Sequence, residues 1–142
     1  PSPPVQLNMD FILPHLAVGN FQEALQPPDT IDALLCVAEE KDLTAPSRPY
    51  HKVPIVDMQP IPAAQMAEAV LWIRDRIAQQ RIMVFCNAGV GRSPSTVVVY
   101  LYAVQGFGFG EAVEFVARRK PYMSILPLLI ETAEAVRAGL SP

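Results

Sequence analysis

Eight consecutive residues, Cys86-Asn87-Ala88-Gly89-Val90-Gly91-Arg92-Ser93, bring together a sulfur nucleophile, two glycines, a guanidinium and a hydroxyl. Together these groups can bind a phosphate and turn it over. Glycine reaches positive φ, so Gly89 and Gly91 predict a turn whose N–H groups face inward, and a helix starting just beyond aims its first unpaired donors at the same point. Such a nest favours a bound anion. The same field favours the thiolate, the reactive form, at Cys86. Arg92 offers a planar fork for two phosphoryl oxygens and keeps its charge at any working pH. Ser93 supplies a hydroxyl that can donate to the sulfur when sulfur must leave. The bare spacing of a cysteine and an arginine is weak, arising by chance in about one chain in ten of this composition. A buried structural cysteine before an ordinary turn is the simplest alternative, but it explains neither two glycines nor the Arg-Ser pair. A loop that binds phosphate without turning it over stays open.

For a phosphate monoester, Cys86 would attack phosphorus in line while Arg92 and the amides of the loop from Asn87 through Gly91 hold the equatorial oxygens. A carboxylic acid must then protonate the departing oxygen, a contribution of about 10²–10⁴ in rate. Asp57 is the best candidate, because it follows the apolar run 53–56 and heads a loop with Pro60 and Pro62 that could lie over the site. Its plainer role would be a turn residue. Asp42 and Glu40 stand in reserve. This chemistry requires no metal and no cofactor. His15 and His51 have no clustered ligands around them and read as strand-end or surface histidines.

These residues need elements to position them. Residues 82–85 form a short apolar, partly β-branched run, and residues 94–105 are long enough for a helix, so the loop joins a buried strand to a helix N-terminus. Residues 11–13, 16–19, 31–37 and 51–55 read as further strands. Residues 63–80 carry Met66, Ala69, Val70, Ile73 and Ile77 at helical spacing, with Arg74 and Arg76 outside the stripe. The helix over 94–105 is apolar nearly all round although three consecutive valines disfavour it, which predicts a central buried helix. Further helices are expected over 111–119 and 128–138. The order predicts an α/β fold: a central, mainly parallel sheet flanked by helices, with the phosphate loop at the carboxyl end of a central strand.

The loop, with its strand and helix, resembles the signature His-Cys-x5-Arg-Ser of the cysteine-dependent protein phosphatases, and within them the small dual-specificity type. His15-Leu16-Ala17-Val18-Gly19-Asn20 is similar to that family's early Leu-x-Val-Gly strand and turn, residues 31–38 to its second core strand, and residues 50–57 to the strand and loop of its general acid. Residues 94–101 resemble the helix after the phosphate loop. Two positions depart from the pattern. Phe85 stands where the family usually has a histidine that helps hold the loop, and residues 124–129 lack the Pro-Asn-x-Gly-Phe pattern that often supports it. The resemblance implies a protein phosphatase acting on phosphotyrosine, and on phosphoserine or phosphothreonine through a shallow site, by way of a cysteinyl-phosphate. It also implies a role for Cys36, which matches the place where some members carry a second cysteine beneath the nucleophile; a disulfide to Cys86 would shelter the thiolate from irreversible oxidation. A small core residue in a strand is the alternative.

Composition sets outer bounds. A chain of 142 residues fits one domain spanning 1–142, and 51% hydrophobic with 18% charged residues suits a sheet covered on both faces. The net charge of −3 gives no pull toward nucleic acid or an anionic membrane. The basic run Arg118-Arg119-Lys120 falls at a helix C-terminus, where cations complement the dipole, against the alternative of a phosphopeptide patch. No signal peptide or spanning segment is visible, so a cytoplasmic, soluble monomer with a phosphorylated protein or peptide as partner is expected. Asn87, Ala88 and Val90 leave the loop without a second cation, unlike the lysine-bearing loops of the family's inositol-lipid phosphatases. Three readings compete: a protein phosphatase, a phosphate-binding pseudophosphatase, and a phosphatase of lipid or RNA phosphates.

Overall fold

Residues 82–86 are buried in succession, the mark of a strand covered on both faces and paired on both edges. In the structure, a computed structural model that describes residues 9–140, this run lies at the centre of a five-stranded sheet. The strands are β1 (Asp10–Leu13), β2 (Leu16–Asn20), β3 (Ala33–Cys36), β4 (Tyr50–Lys52) and β5 (Ile82–Cys86), in the spatial order β1-β2-β5-β3-β4. β1 and β2 form an antiparallel hairpin, and every other pairing is parallel, as the sequence predicts. Register follows the apolar pattern: Val18 and Leu35 both face Val84, and Cys36 faces Phe85.

β4 stops at Lys52 instead of running to Ile55. Pro54 has no N–H to offer a ladder, and Ile55 N turns back to Val53 O at 2.9 Å. The chain is thereby released into the loop that carries Asp57. α1 (Phe21–Leu25) is an element the sequence reading missed; Asn20 accepts from Glu23 N, and the Glu23 side chain accepts from Asn20 N, forming a reciprocal cap.

α2 (Ala63–Arg76), α4 (Phe109–Arg119) and α5 (Leu129–Leu140) surround α3 (Arg92–Ala103). Met66, Ala69, Val70 and Ile73 are the buried face of α2, as the stripe predicts, but the helix ends at Arg76 instead of running to 80, and Ile77 is its half-buried C-cap. α3 begins two residues earlier than expected, so Arg92 and Ser93 lie in its first turn and Pro94 is tolerated there because that turn's N–H groups lack helical partners. Residues 92–101 are all buried, and burial from several sides outweighs the poor helix propensity of Val97, Val98 and Val99, a few tenths to about 0.7 kcal/mol each. A central strand thus feeds a buried helix through five intervening residues, which fixes the loop at both ends.

Candidate active site

Cys86 ends β5 and is 2% exposed; its Sγ lies 3.2 Å from Ser93 Oγ in the first turn of α3. The turn between them depends on Gly89, whose φ is +77° and whose missing Cβ would sit 2.8 Å from Gly19 O. Gly91 differs from the sequence expectation. Its φ is −119°, which any residue adopts, and the constraint there is space: a Cβ would press on Leu126 Cδ1 at 3.2 Å, with Asp57 Oδ1 next at 3.8 Å. Backbone bonds hold the loop from both sides, with Phe21 N donating to Asn87 O at 3.1 Å and Ser124 N to Val90 O at 2.8 Å. Residues 124–126 therefore brace the loop without the family's pattern. Leu126 N ties them to α3 by donating to the buried Ser95 Oγ at 3.1 Å.

Arg92 is 2% exposed and its hydrogen bonds can be counted against five N–H donors. Nη1 donates to Glu40 Oε1 at 2.7 Å and to Ile55 O at 2.9 Å, and Nη2 donates to Glu40 Oε2 at 2.5 Å. Asp57 Oδ2 is 3.7 Å from Nη2, an ion pair without a hydrogen bond. No described residue accepts from the buried Nε. The two N–H groups left over, on Nε and Nη2, lie side by side on one edge of the planar group. Glu40 holds the opposite edge, so this edge is turned away from the only carboxylate that hydrogen-bonds the guanidinium among the described residues.

Pairing with Arg92 pulls the Glu40 carboxyl down to about 2. A carboxylate ionised to that pH cannot deliver a proton near neutrality, which removes Glu40 as a reserve acid. Asp42 is turned elsewhere: it accepts from Tyr50 OH at 2.5 Å, and that bond lowers its pKa. Asp57 is the carboxyl left over the loop. Its side chain is 53% exposed, and Oδ1 accepts from Met58 N at 2.9 Å. Asp57, Cys86, Arg92 and the loop residues Asn87, Ala88, Val90 and Gly91 line one cavity of about 500 Å³, together with Glu40, Met58, Ser124, Ile125, Leu126 and Pro127.

Phe85 is fully buried and faces away from this cavity, since adjacent strand residues point to opposite sheet faces. Its ring lies 6.5 Å from those of Phe21 and Tyr50. Cys36 shares that face through its register with Phe85, so the structure does not bring it to Cys86. Both thiols are free, Cys36 Sγ donates to Lys41 O at 3.3 Å, and burial pushes its pKa up. A Cys36–Cys86 link would have to cross the sheet. His15 Nδ1 meets Ile77 O at 2.7 Å, and His51 Nε2 meets Glu68 at 2.8 Å. The basic run is also engaged in packing: Arg118 pairs with Glu114, Arg119 lies over Phe115, and the buried Lys120 pairs with Asp10.

With the site assembled, comparison with known proteins becomes specific. Residues 19–131 match the family model described as dual specificity phosphatase, catalytic domain. Mouse dual specificity protein phosphatase 15 is 27% identical over 119 residues, covering 80% of this chain and 51% of that protein. Rat protein phosphatase Slingshot homolog 3 is 32% identical over 120 residues, covering 78% of this chain and 18% of that protein. This chain therefore spans about half the length of the first relative and a smaller share of the second. Among solved structures, Tk-PTP in its active form superposes with a TM-score of 0.79 at 21% identity, covering 92% of this chain and 97% of that one. DUSP15 gives 0.79 at 21%, covering 95% and 96%. The chain belongs to the dual-specificity phosphatase catalytic-domain family.

Proposed function

We propose that this domain hydrolyses phosphate monoesters on proteins, phosphotyrosine and also phosphoserine and phosphothreonine, through a cysteinyl-phosphate. The observation that carries the reading is the free Nε/Nη2 edge of Arg92, buried in the same cavity as Cys86. A phosphoryl group seated on that edge and on the loop amides lies over Cys86 Sγ. The S–P bond forms as the P–O bond to the substrate breaks, and Asp57 gives its proton to the departing oxygen. Water then attacks phosphorus, Asp57 takes its proton, the S–P bond breaks, and Ser93, 3.2 Å away, donates to the leaving sulfur. Arg92 and the amides stabilise charge on the equatorial oxygens in both steps.

The partner in this reading is a phosphorylated protein or peptide. The net charge of −3 supports a domain that does not seek nucleic acid or anionic membrane, and no helix among the described residues is long and apolar enough to cross a membrane. The requirement for a free Cys86 thiol favours a reducing, cytoplasmic setting, and we take the working unit to be the monomer. The test is turnover of p-nitrophenyl phosphate. Turnover inhibited by vanadate, indifferent to chelator and abolished by Cys86→Ser supports the hydrolase; tight phosphate binding with no turnover rejects it in favour of a binding module. Preference for inositol lipids or RNA 5′-phosphates over phosphopeptides would reject the protein substrate.

A further inference from the structure

Two non-glycine residues of the described chain have positive φ, and both belong to loops that wall the phosphate cavity: Met58 at +62° and Leu128 at +56°. A side chain in that region costs about 1–2 kcal/mol. Both are large and apolar, and both are turned to solvent, Met58 84% and Leu128 57% exposed, so burial gives little back. Strain of this kind persists where the surroundings impose it, and it clusters at functional sites. Each lies beside cavity-lining residues. Met58 lines the cavity itself next to Asp57, with the half-exposed Val56 preceding; Leu128 is the next residue after the lining residues Ile125, Leu126 and Pro127.

From these observations, and resting on the hydrolase reading above, we infer that the 56–58 and 125–128 rims form an apolar clamp that selects phosphopeptides carrying a large aliphatic or aromatic residue beside the phosphorylated one. Charge points the same way. Among the described residues lining the cavity, Arg92 is the only cation, and Glu40 matches its charge, while Asp57 adds a further carboxyl at the mouth. Acidic residues flanking the phosphate would find no counter-charge. Met58, Ile125 and Leu126 line the same cavity as Cys86 and Arg92, which fits a peptide segment entering that cavity better than a flat bilayer; the carboxyls in the lining and the net charge oppose an anionic lipid surface. The clamp also reaches the chemistry. Met58 N donates to Asp57 Oδ1, so a side chain packing on Met58 steadies the carboxyl that serves as acid.

The test compares kcat/KM on matched phosphotyrosine peptides in which the flanking positions are Leu, Ala or Glu. Wild type is expected to prefer Leu over Ala by about 5–20-fold, the value of partly burying one aliphatic side chain, and to disfavour Glu. Met58→Gly fits the left-handed backbone without strain, and Leu128→Glu alters an exposed position; each is expected to bring the Leu-to-Ala ratio to about twofold or less. The ratio is taken within each variant, so a uniform change in activity cancels. Equal rates on all flanks, or an unchanged ratio in both variants, overturns the clamp while leaving the hydrolase intact. A larger kcat/KM on phosphoinositide vesicles than on any peptide makes the rim a lipid contact and overturns it as well. No turnover of any peptide or of p-nitrophenyl phosphate overturns the hydrolase reading, and the clamp with it.

Discussion

Glu40→Gln separates two opposite roles for the carboxylate that grips Arg92. The substitution keeps the shape of the side chain but removes its charge and one of its two acceptors. Glu40 has a folded pKa of about 2 against an ordinary value of 4.5. That lowering sets an upper bound of about 3 kcal/mol on what the pairing adds to stability. The Glu40 side chain is 47% exposed, and solvent screening reduces the figure to about 1–2 kcal/mol. Because the folded pKa lies below the unfolded one, this contribution is fully present above pH ~4.5 and is lost as pH falls through about 2. Thermal unfolding of Glu40→Gln at neutral pH should therefore come about 3–8 °C below wild type, with the gap closing as the medium is acidified toward pH 2. For catalysis, Glu40 takes the Nη1/Nη2 edge and leaves the Nε/Nη2 edge open, so it acts as a clamp and not as a competitor for phosphate. Loss of the clamp should lower kcat/KM on p-nitrophenyl phosphate about 5–30-fold and weaken vanadate inhibition. A rise in kcat/KM together with tighter vanadate binding would show that Glu40 blocks the fork, and would refute the reasoning.

Asp57→Asn should cost about 10²–10⁴ in kcat on phenyl phosphate and much less on p-nitrophenyl phosphate, whose leaving group needs no proton; equal losses on both would take Asp57 out of the acid role. Gly89→Ala places a methyl 2.8 Å from Gly19 O and should abolish vanadate binding, whereas Gly106→Ala, at φ +80° with nothing within 4 Å, should cost only about 1–2 kcal/mol of stability and leave vanadate affinity intact. Equal effects on vanadate would mean that the close approach at Gly89 does not matter. Restoring the family residue with Phe85→His puts an imidazole among Phe21 and Tyr50 and should destabilise the fold by about 1–3 kcal/mol without raising kcat; a more active, equally stable variant would show that Phe85 is a defect in the site.

How much of this was legible in the sequence depends on how local each signal is. β5, the loop and α3 could be read from an apolar run, two glycines and a buried helix pattern, all within about twenty residues, and the mainly parallel sheet followed from the order of strands and helices. α1 was missed although Asn20 and Glu23 spell its capping box, because five residues leave too little periodicity to notice. The loop glycines looked alike in sequence and are not: Gly89 answers to a dihedral, Gly91 to the nearness of Leu126, and the second cause is tertiary. The same holds for the clamp. Glu40 and Arg92 are 52 residues apart, and no spacing rule joins them. Placing Glu40 among the reserve acids recognised a carboxyl near the site but not that a guanidinium would hold it ionised. Cys36 looked like a partner for Cys86 by resemblance, and the strand register puts its side chain on the other face. Ser95 gave no sign that its hydroxyl would receive the 124–126 segment and so replace a missing sequence pattern.

The central claim is that Cys86 carries the phosphoryl group during turnover. Rapid acid quench of the protein with a phosphotyrosine peptide, followed by mass mapping, tests it directly. In Ser93→Ala, where sulfur leaves without its 3.2 Å donor, a phosphoryl adduct should accumulate on the Cys86 peptide within one turnover. It should be absent from Cys86→Ser, which should release no phosphate. Phosphate release by Cys86→Ser at the wild-type rate, or an adduct on any other residue, would contradict the account.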